Sequence, residues 1–221
     1  MNERRTKKFK DVIAKRQKNL TVILENVHDD HNIGAVMRTC EAVGIMEIYV
    51  LYTEPKLQAK KKLYLGKRTT KGSRRWLDVH FFHDAADCFE LVKSKYDLIL
   101  STHLGESSKD LYDCDLTGSL ALLFGNEADG LSEEALSYSD GNFIIPQIGM
   151  GESLNISVAC AVTLYEAYRQ RAKAGIYDAA QLDNSEQKAL FDDYVDRGIV
   201  KFNQEWVFPY GTTAEDWEIE E

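Results

Sequence analysis

Three short stretches, far apart in the chain, carry residues that could bind and activate a substrate: 32–39, 124–131 and 145–157. Each lies where a strand-like apolar run gives way to a helix-like one. Ligand sites form at such junctions, at the carboxyl ends of parallel strands. In the first stretch Asn32 stands at a helix start, where free backbone N–H groups and the helix dipole favour anions. Further along the same helix, Arg38 offers a planar fork suited to phosphate. In the second, Gly125 and Gly130 bracket Asn126, Glu127, Ala128 and Asp129. That pattern fits a tight loop before a helix capped by Ser132, and it also fits Glu127 as an acceptor for substrate or for the arginine. In the third, Pro146, Gly149 and Gly151 imply an irregular loop, Ser153 is the expected cap of a long helix, and Asn155 falls in its first turn. Such a loop can grip a small molecule through main-chain groups.

Other chemistries lack their residues. No G-x-G-x-x-G follows the first strand, no G-x-x-x-x-G-K-[ST] occurs and no G-x-S-x-G elbow is found, so dinucleotide, P-loop and hydrolase readings are poorly supported. His28/His31 and His80/His83 form two H-x-x-H pairs, but neither has a nearby cysteine, so no metal site is expected. Cys40, Cys88, Cys114 and Cys160 are scattered. With no apolar signal core and no long apolar run, they point to reduced thiols and a cytoplasmic protein without a membrane span.

The net charge of -9 argues against a nucleic-acid partner only until its distribution is read. Residues 1–80 hold 18 Lys and Arg against 9 Asp and Glu, a net +9, so the remainder carries -18. The basic half contains the cluster Arg4, Arg5, Lys7, Lys8, Lys10 and the cluster Lys60, Lys61, Lys62, Lys67, Arg68, Lys71, Arg74, Arg75. Such runs are often only solvated surface, but a basic face of this kind is also what phosphate binding needs.

Strand and helix patterns alternate around these sites. Residues 3–18 read as a basic helix with Phe9, Val12 and Ile13 as its apolar stripe. Strands are expected at 20–27, 45–52, 79–82, 97–101, 119–124 and 143–145, and helices at 31–43, 85–92, 132–138, 154–174 and 183–197. Ile33, Val36, Met37, Cys40 and Val43 make one buried stripe, which leaves Gly34, Arg38 and Glu41 off it. The alternation predicts an α/β domain with a parallel sheet and helices on both faces. The chain divides into a short basic N-terminal helix (1–19), a main domain (20–177) and an extension (178–221) with 12 acidic and 3 basic residues. The start of the 154–174 helix is apolar nearly all round, which implies a second covering surface, such as another subunit.

In order and spacing, the three stretches resemble the motifs of the SPOUT (α/β-knot) RNA ribose 2'-O-methyltransferases. Further segments, including Glu25-Asn26-Val27-His28, Gly72-Ser73, Trp76, Thr102-His103-Leu104 and 165–171, are similar to the TrmH branch, which methylates a D-loop guanosine of tRNA. The resemblance covers about residues 4–177. It implies a C-terminal trefoil knot, bound S-adenosyl-L-methionine, a homodimer, and tRNA or another structured RNA as partner. Carried over residue by residue, it makes Arg38 catalytic, with Asn32, Glu127, Ser153 and Asn155 positioning it or the substrate. Thr102, Gly125, Ile145, Ile148 and Leu154 would line the cofactor pocket. Gly151-Glu152 departs from the apolar residue and Gln often found there in that branch.

Methyl transfer from a sulfonium requires alignment of the attacking oxygen and removal of its proton. Arg38 could act as the base or stabilise the developing alkoxide electrostatically. The alternatives to a tRNA enzyme are a ribosomal RNA 2'-O-methyltransferase of the same fold and a non-catalytic RNA-binding module. About 19 residues before the first strand favour the tRNA branch. Arg169 and Arg171 are candidates for the subunit interface or for substrate phosphate.

Overall fold

The computed structural model describes residues 1–58, 70, 72–105, 108–151 and 153–199. Lys60, Lys61, Lys62, Lys67, Arg68 and Lys71 of the second basic cluster, Glu152, and the acidic stretch from 200 lie outside the described residues.

Among the described residues, seven parallel strands form one sheet: β1 (Leu20–Glu25), β2 (Glu47–Leu51), β3 (Asp78–Phe82), β4 (Leu98–Thr102), β5 (Lys109–Asp110), β6 (Leu120–Phe124) and β7 (Gly141–Ile144), in the order β3-β2-β1-β6-β4-β7-β5. All the pairings are parallel, so the carboxyl ends share one edge. At the β1/β6 boundary the chain leaves in opposite directions, from β1 to β2 on one side and from β6 to β7 on the other. That is a topological switch point, where open α/β sheets bind ligands.

Period-two alternation explains why both faces are buried. In β1 and β6, Leu20, Val22, Leu24, Leu120, Leu122 and Phe124 join one apolar cluster, while Ile23, Ala121 and Leu123 join the other. Strands covered on both sides read as unbroken apolar runs, as these do. The first face packs against α2 (Asp30–Ala42) and α6 (Ile156–Lys173), the second against α4 (Ala85–Lys95) and α5 (Glu133–Ser137). A single-turn helix, α3 (Pro55–Gln58), follows β2.

The expected elements recur with ends shifted by a few residues. Strand β5 was not anticipated, because two residues carry no period. The first helix, α1 (Glu3–Ile13), stops well short of residue 18, and Arg16 turns inward instead. Gly34, expected off the buried stripe of α2, is buried too. The helix α7 (Asn184–Ile199) packs on α1, where Phe9, Ile13, Leu182 and Tyr194 form a third cluster.

Buried charge locks these layers. Arg16 is fully buried and donates to the Tyr194 hydroxyl (2.8 Å) and to the carbonyls of Glu41, Ile45 and Trp76. Arg171 was a candidate for contact with a partner or phosphate, but it is also fully buried. Its guanidinium donates to Leu116 O (2.9 Å), Gln17 Oε1 (3.1 Å), Asn19 Oδ1 (2.7 Å), Asn19 O (3.2 Å) and Gly118 O. Arg169 stays exposed and forms a bidentate pair with Glu166.

At the amino edge of the sheet, Glu47 accepts hydrogen bonds from His80, Lys95, Tyr49 and Tyr96. Burial alone would raise its pKa, but the bonds from His80, Lys95 and Tyr49 outweigh that and hold it at about 2. The folded-state pKa lies below the ordinary 4.5, so this stabilisation is complete above that value and fades as pH falls towards 2. Glu47→Gln should therefore cost about 2 kcal/mol at pH 7. In denaturant melts, its gap from wild type should narrow steadily below pH 4.5. A gap independent of pH would contradict the assignment.

Candidate functional site

The site is assembled from the end of β1 outward. Asn26, the residue after the strand, has φ 50°, in the left-handed region that Asn tolerates better than most residues. Its buried carboxamide accepts from the backbone N–H groups of Thr53 and Glu54 and donates to the Thr53 hydroxyl, joining the loops after β1 and β2. Glu25, the last residue of β1, is buried. Its carboxylate accepts from Ser132 N (3.0 Å) and Ser132 Oγ (2.5 Å). Burial pushes its pKa up, and the two bonds from Ser132 oppose the shift. Ser132 in turn caps α5 by accepting from Ala135 N. One buried carboxylate thus anchors the loop after β6 to the end of β1.

That loop is closed on itself. The backbones of Asn126 and Gly130 bond each other in both directions at 3.1 Å, and Asn126 Oδ1 accepts from Ala128 N and Asp129 N. A Cβ on Gly125 would lie 2.1 Å from the Gly130 oxygen, and Gly130 has φ 72°. A side chain at Gly125 would force the backbone to move, and one at Gly130 would be strained by its positive φ. The closed loop projects Glu127 outward.

Asn32, in the first turn of α2, connects all three motifs. Its Nδ2 donates to Glu127 Oε1 at 2.5 Å, and its Oδ1 accepts from Asn155 Nδ2 at 3.1 Å. Asn155 is the N-cap of α6 and accepts from the Ser157 backbone. The expected cap, Ser153, is instead exposed two residues earlier. Asn reaches the N2 or N3 amide as well as Ser does, and the helix starts two residues later than its apolar pattern suggested.

Asn32, Glu127 and Asn155 therefore converge. Arg38 does not join them: it is exposed further along α2 and makes no hydrogen bond or ion pair among the described residues. It borders a separate cavity of about 550 Å³ that reaches Lys8, Glu41, Arg74, Arg75 and Trp76. Of the residues expected around a cofactor, Thr102 and Gly125 sit at the carboxyl edges of β4 and β6, with Thr102 Oγ1 donating to Leu123 O (3.4 Å). Ile145 packs on the main core, Leu154 is half-buried and Ile148 is fully exposed. Leu104 and Met150 are also exposed on these loops. Sequence reading gave no separate role to Asn26, nor to Glu25 and its bond to Ser132. The available signal was a carboxylate and a carboxamide ending an otherwise apolar strand.

Ligand loops gathered at the switch point of a parallel sheet, and tied by one carboxamide, define a substrate-binding α/β domain. The chain belongs to the SpoU rRNA Methylase family, which its residues 19–165 match. A tRNA (guanosine(18)-2'-O)-methyltransferase of Thermus thermophilus is 41% identical over 191 residues, covering 86% of this chain and 95% of that protein. The crystal structure of the Aquifex aeolicus TrmH/SpoU tRNA modifying enzyme superposes with a TM-score of 0.80 at 33% identity, over 90% of this chain and 98% of that one. The SpoU methyltransferase AviRb of Streptomyces viridochromogenes, in complex with the cofactor AdoMet, gives a TM-score of 0.61 at 27% identity, over 74% and 64% of the two chains.

The Asn32 bridge can be tested by charge. Asn32→Asp sets two carboxylates against each other and should lower stability by about 1 kcal/mol at pH 7. The loss should shrink as acid protonates one of them. Adding Glu127→Gln restores a donor and should recover most of the thermal midpoint. No recovery in the double variant would remove the bond from the site's architecture.

Proposed function

We propose that this chain transfers a methyl group from S-adenosyl-L-methionine to a ribose 2'-hydroxyl of RNA, its target being a guanosine in tRNA. The observation that carries this reading is the Asn32 bridge, which draws the three motif loops together at the switch point. Family membership and the relatives' activities support it.

The loops after β4, β6 and β7 suit the cofactor. They offer apolar side chains at Ile145, Ile148 and Leu154, with Thr102 and Gly125 at the strand ends and an open main chain at Gly149 and Gly151. When bound, the cofactor supplies an electrophilic methyl group on a sulfonium. The protein's own contribution is placement and charge. Asn32, held from both sides, fixes the direction of the Glu127 carboxylate and the start of α6. The Arg38 guanidinium is placed to offset negative charge building on the 2'-oxygen while the hydroxyl proton passes to solvent water. Ser153, exposed beside Asn155, is available to the ribose.

Two structural readings belong with this function. The first is the trefoil knot: β6 enters between β1 and β4, and α6 then returns to α2, with Arg171 gripping 17–19 and 116–118. The second is a two-fold homodimer through α6. Ile156, Cys160, Leu164 and Ala167 of that helix are buried, while Val158, Tyr165 and Tyr168 leave an apolar stripe uncovered on the other side. The distance along α2 between Asn32 and Arg38 makes the dimer useful, because Arg38 of one subunit can serve the loops of the other.

Arg38→Ala should reduce methyl transfer to tRNA by roughly 100-fold or more, while calorimetry shows S-adenosyl-L-methionine binding within about twofold of wild type. Arg38→Lys should fail as well, since the planar fork is lost. Near-normal turnover in either variant would refute the role. Light scattering on the active protein should give twice the 25.2 kDa chain mass. A monomer, fully active, would remove the dimer from the mechanism.

A further inference from the structure

We propose that the cavity beside Arg38 is a nucleotide pocket that receives an unstacked guanosine of the RNA substrate, with its base on Trp76 and its phosphate among Lys8, Arg74 and Arg75. The proposal rests on the RNA-methylation reading and adds to it the place where the base is held.

At about 550 Å³ the cavity has room for a nucleotide. Its wall brings together cations from three separate elements: Lys8 of α1, Arg38 of α2, and Arg74 and Arg75 from the turn before β3. Lys8 and Arg38 have no hydrogen bond or ion pair among the described residues. Arg74 is buried, and its burial, followed by the neighbouring Arg75 charge, pushes its guanidinium below its ordinary pKa. Cations gathered in one concave, partly dry surface raise the local potential, and an anion entering that surface relieves the repulsion.

Trp76 indicates more than an isolated phosphate. Its ring is packed edge-on against Phe9 (5.4 Å) and Tyr194 (5.0 Å), yet it still reaches the cavity. A ring already fixed from behind loses little freedom when a base stacks on it, and single-stranded RNA is commonly held on such platforms beside basic side chains.

Glu41 narrows the choice of base. A carboxylate in the wall opposes a bare phosphate but accepts a ring N–H. It approaches Arg16 at 3.5 Å, which leaves carboxylate lone pairs facing the cavity. Guanine presents an N1–H donor beside the O6 acceptor, which matches a carboxylate next to a cation. Adenine presents the reverse pattern at the same atoms.

The test uses the full-length protein and a tRNA transcript carrying 8-azidoguanosine at the methylated position. Irradiation followed by peptide mapping should place the crosslink on Trp76 or an adjacent residue. In parallel, Trp76→Leu should raise the KM for tRNA by roughly 10-fold or more, with kcat and cofactor affinity little changed, and Trp76→Phe should retain most of the affinity. Glu41→Gln should lower the preference for guanosine over adenosine at that position by roughly 10-fold. A crosslink mapping only elsewhere, or a KM within twofold of wild type in a folded Trp76→Leu protein, would overturn the pocket. The two proposals fail separately. Crosslinking at Trp76 without methyl transfer would sink the enzymatic reading and keep the pocket. Methyl transfer with Trp76 silent would do the opposite.

Discussion

A fully buried guanidinium sets how the carboxyl half of this chain returns to the amino half. Arg171 has five N–H donors and five protein acceptors, drawn from residues 17–19 and 116–118. None of those acceptors is a carboxylate. Burying a cation is costly unless every donor is satisfied, and here satisfaction requires two distant chain segments to lie side by side. The helix that carries Arg171 is thereby fixed in place. Its other end is Asn155, which reaches Asn32 and, through it, Glu127. The functional loops sit at the far end of a rod whose base is clamped by hydrogen bonds.

Arg16 has a comparable role on the other flank. It joins the end of α1 to α2, to the turn at Trp76 and to Tyr194 of α7. The acidic C-terminal region is thus not wholly an appendage: its helix completes the wall behind Trp76. The described cations of the first eighty residues include both structural and cavity-lining groups. Arg16 is consumed by the fold, while Lys8 and Arg38 face the cavity. A net charge of -9 is compatible with RNA binding because the acidic residues lie mostly in the second half of the sequence.

The loops owe their shape to short polar side chains acting on backbone. Asn26, Asn126 and Asn155 each accept from nearby amides, and Ser132 both caps a helix and binds Glu25. Such groups hold irregular backbone without filling the space above it. The apolar residues Leu104, Ile148 and Met150 remain exposed on the same edge. The same edge thus pairs a polar frame with an uncovered apolar rim.

Much of this was legible from residue order. The buried stripe of α2, the strands that read as apolar runs, the three motif junctions and the Ser132 cap are local patterns, because helix and strand periods repeat within a few residues. Family membership followed from the same motifs. The tertiary structure decided what local period cannot encode. Asn32 meets Glu127 across 95 residues and Asn155 across 123, and only the strand order brings those three loops to one edge. Arg169 and Arg171 look equivalent in sequence, yet one is exposed and the other wholly buried. Two residues on a helix differ by about 200° in direction, so packing against 17–19 and 116–118 selects one and leaves the other to solvent. Ser153 and Asn155 were both able to cap, and the position at which α6 meets α2 chose Asn155.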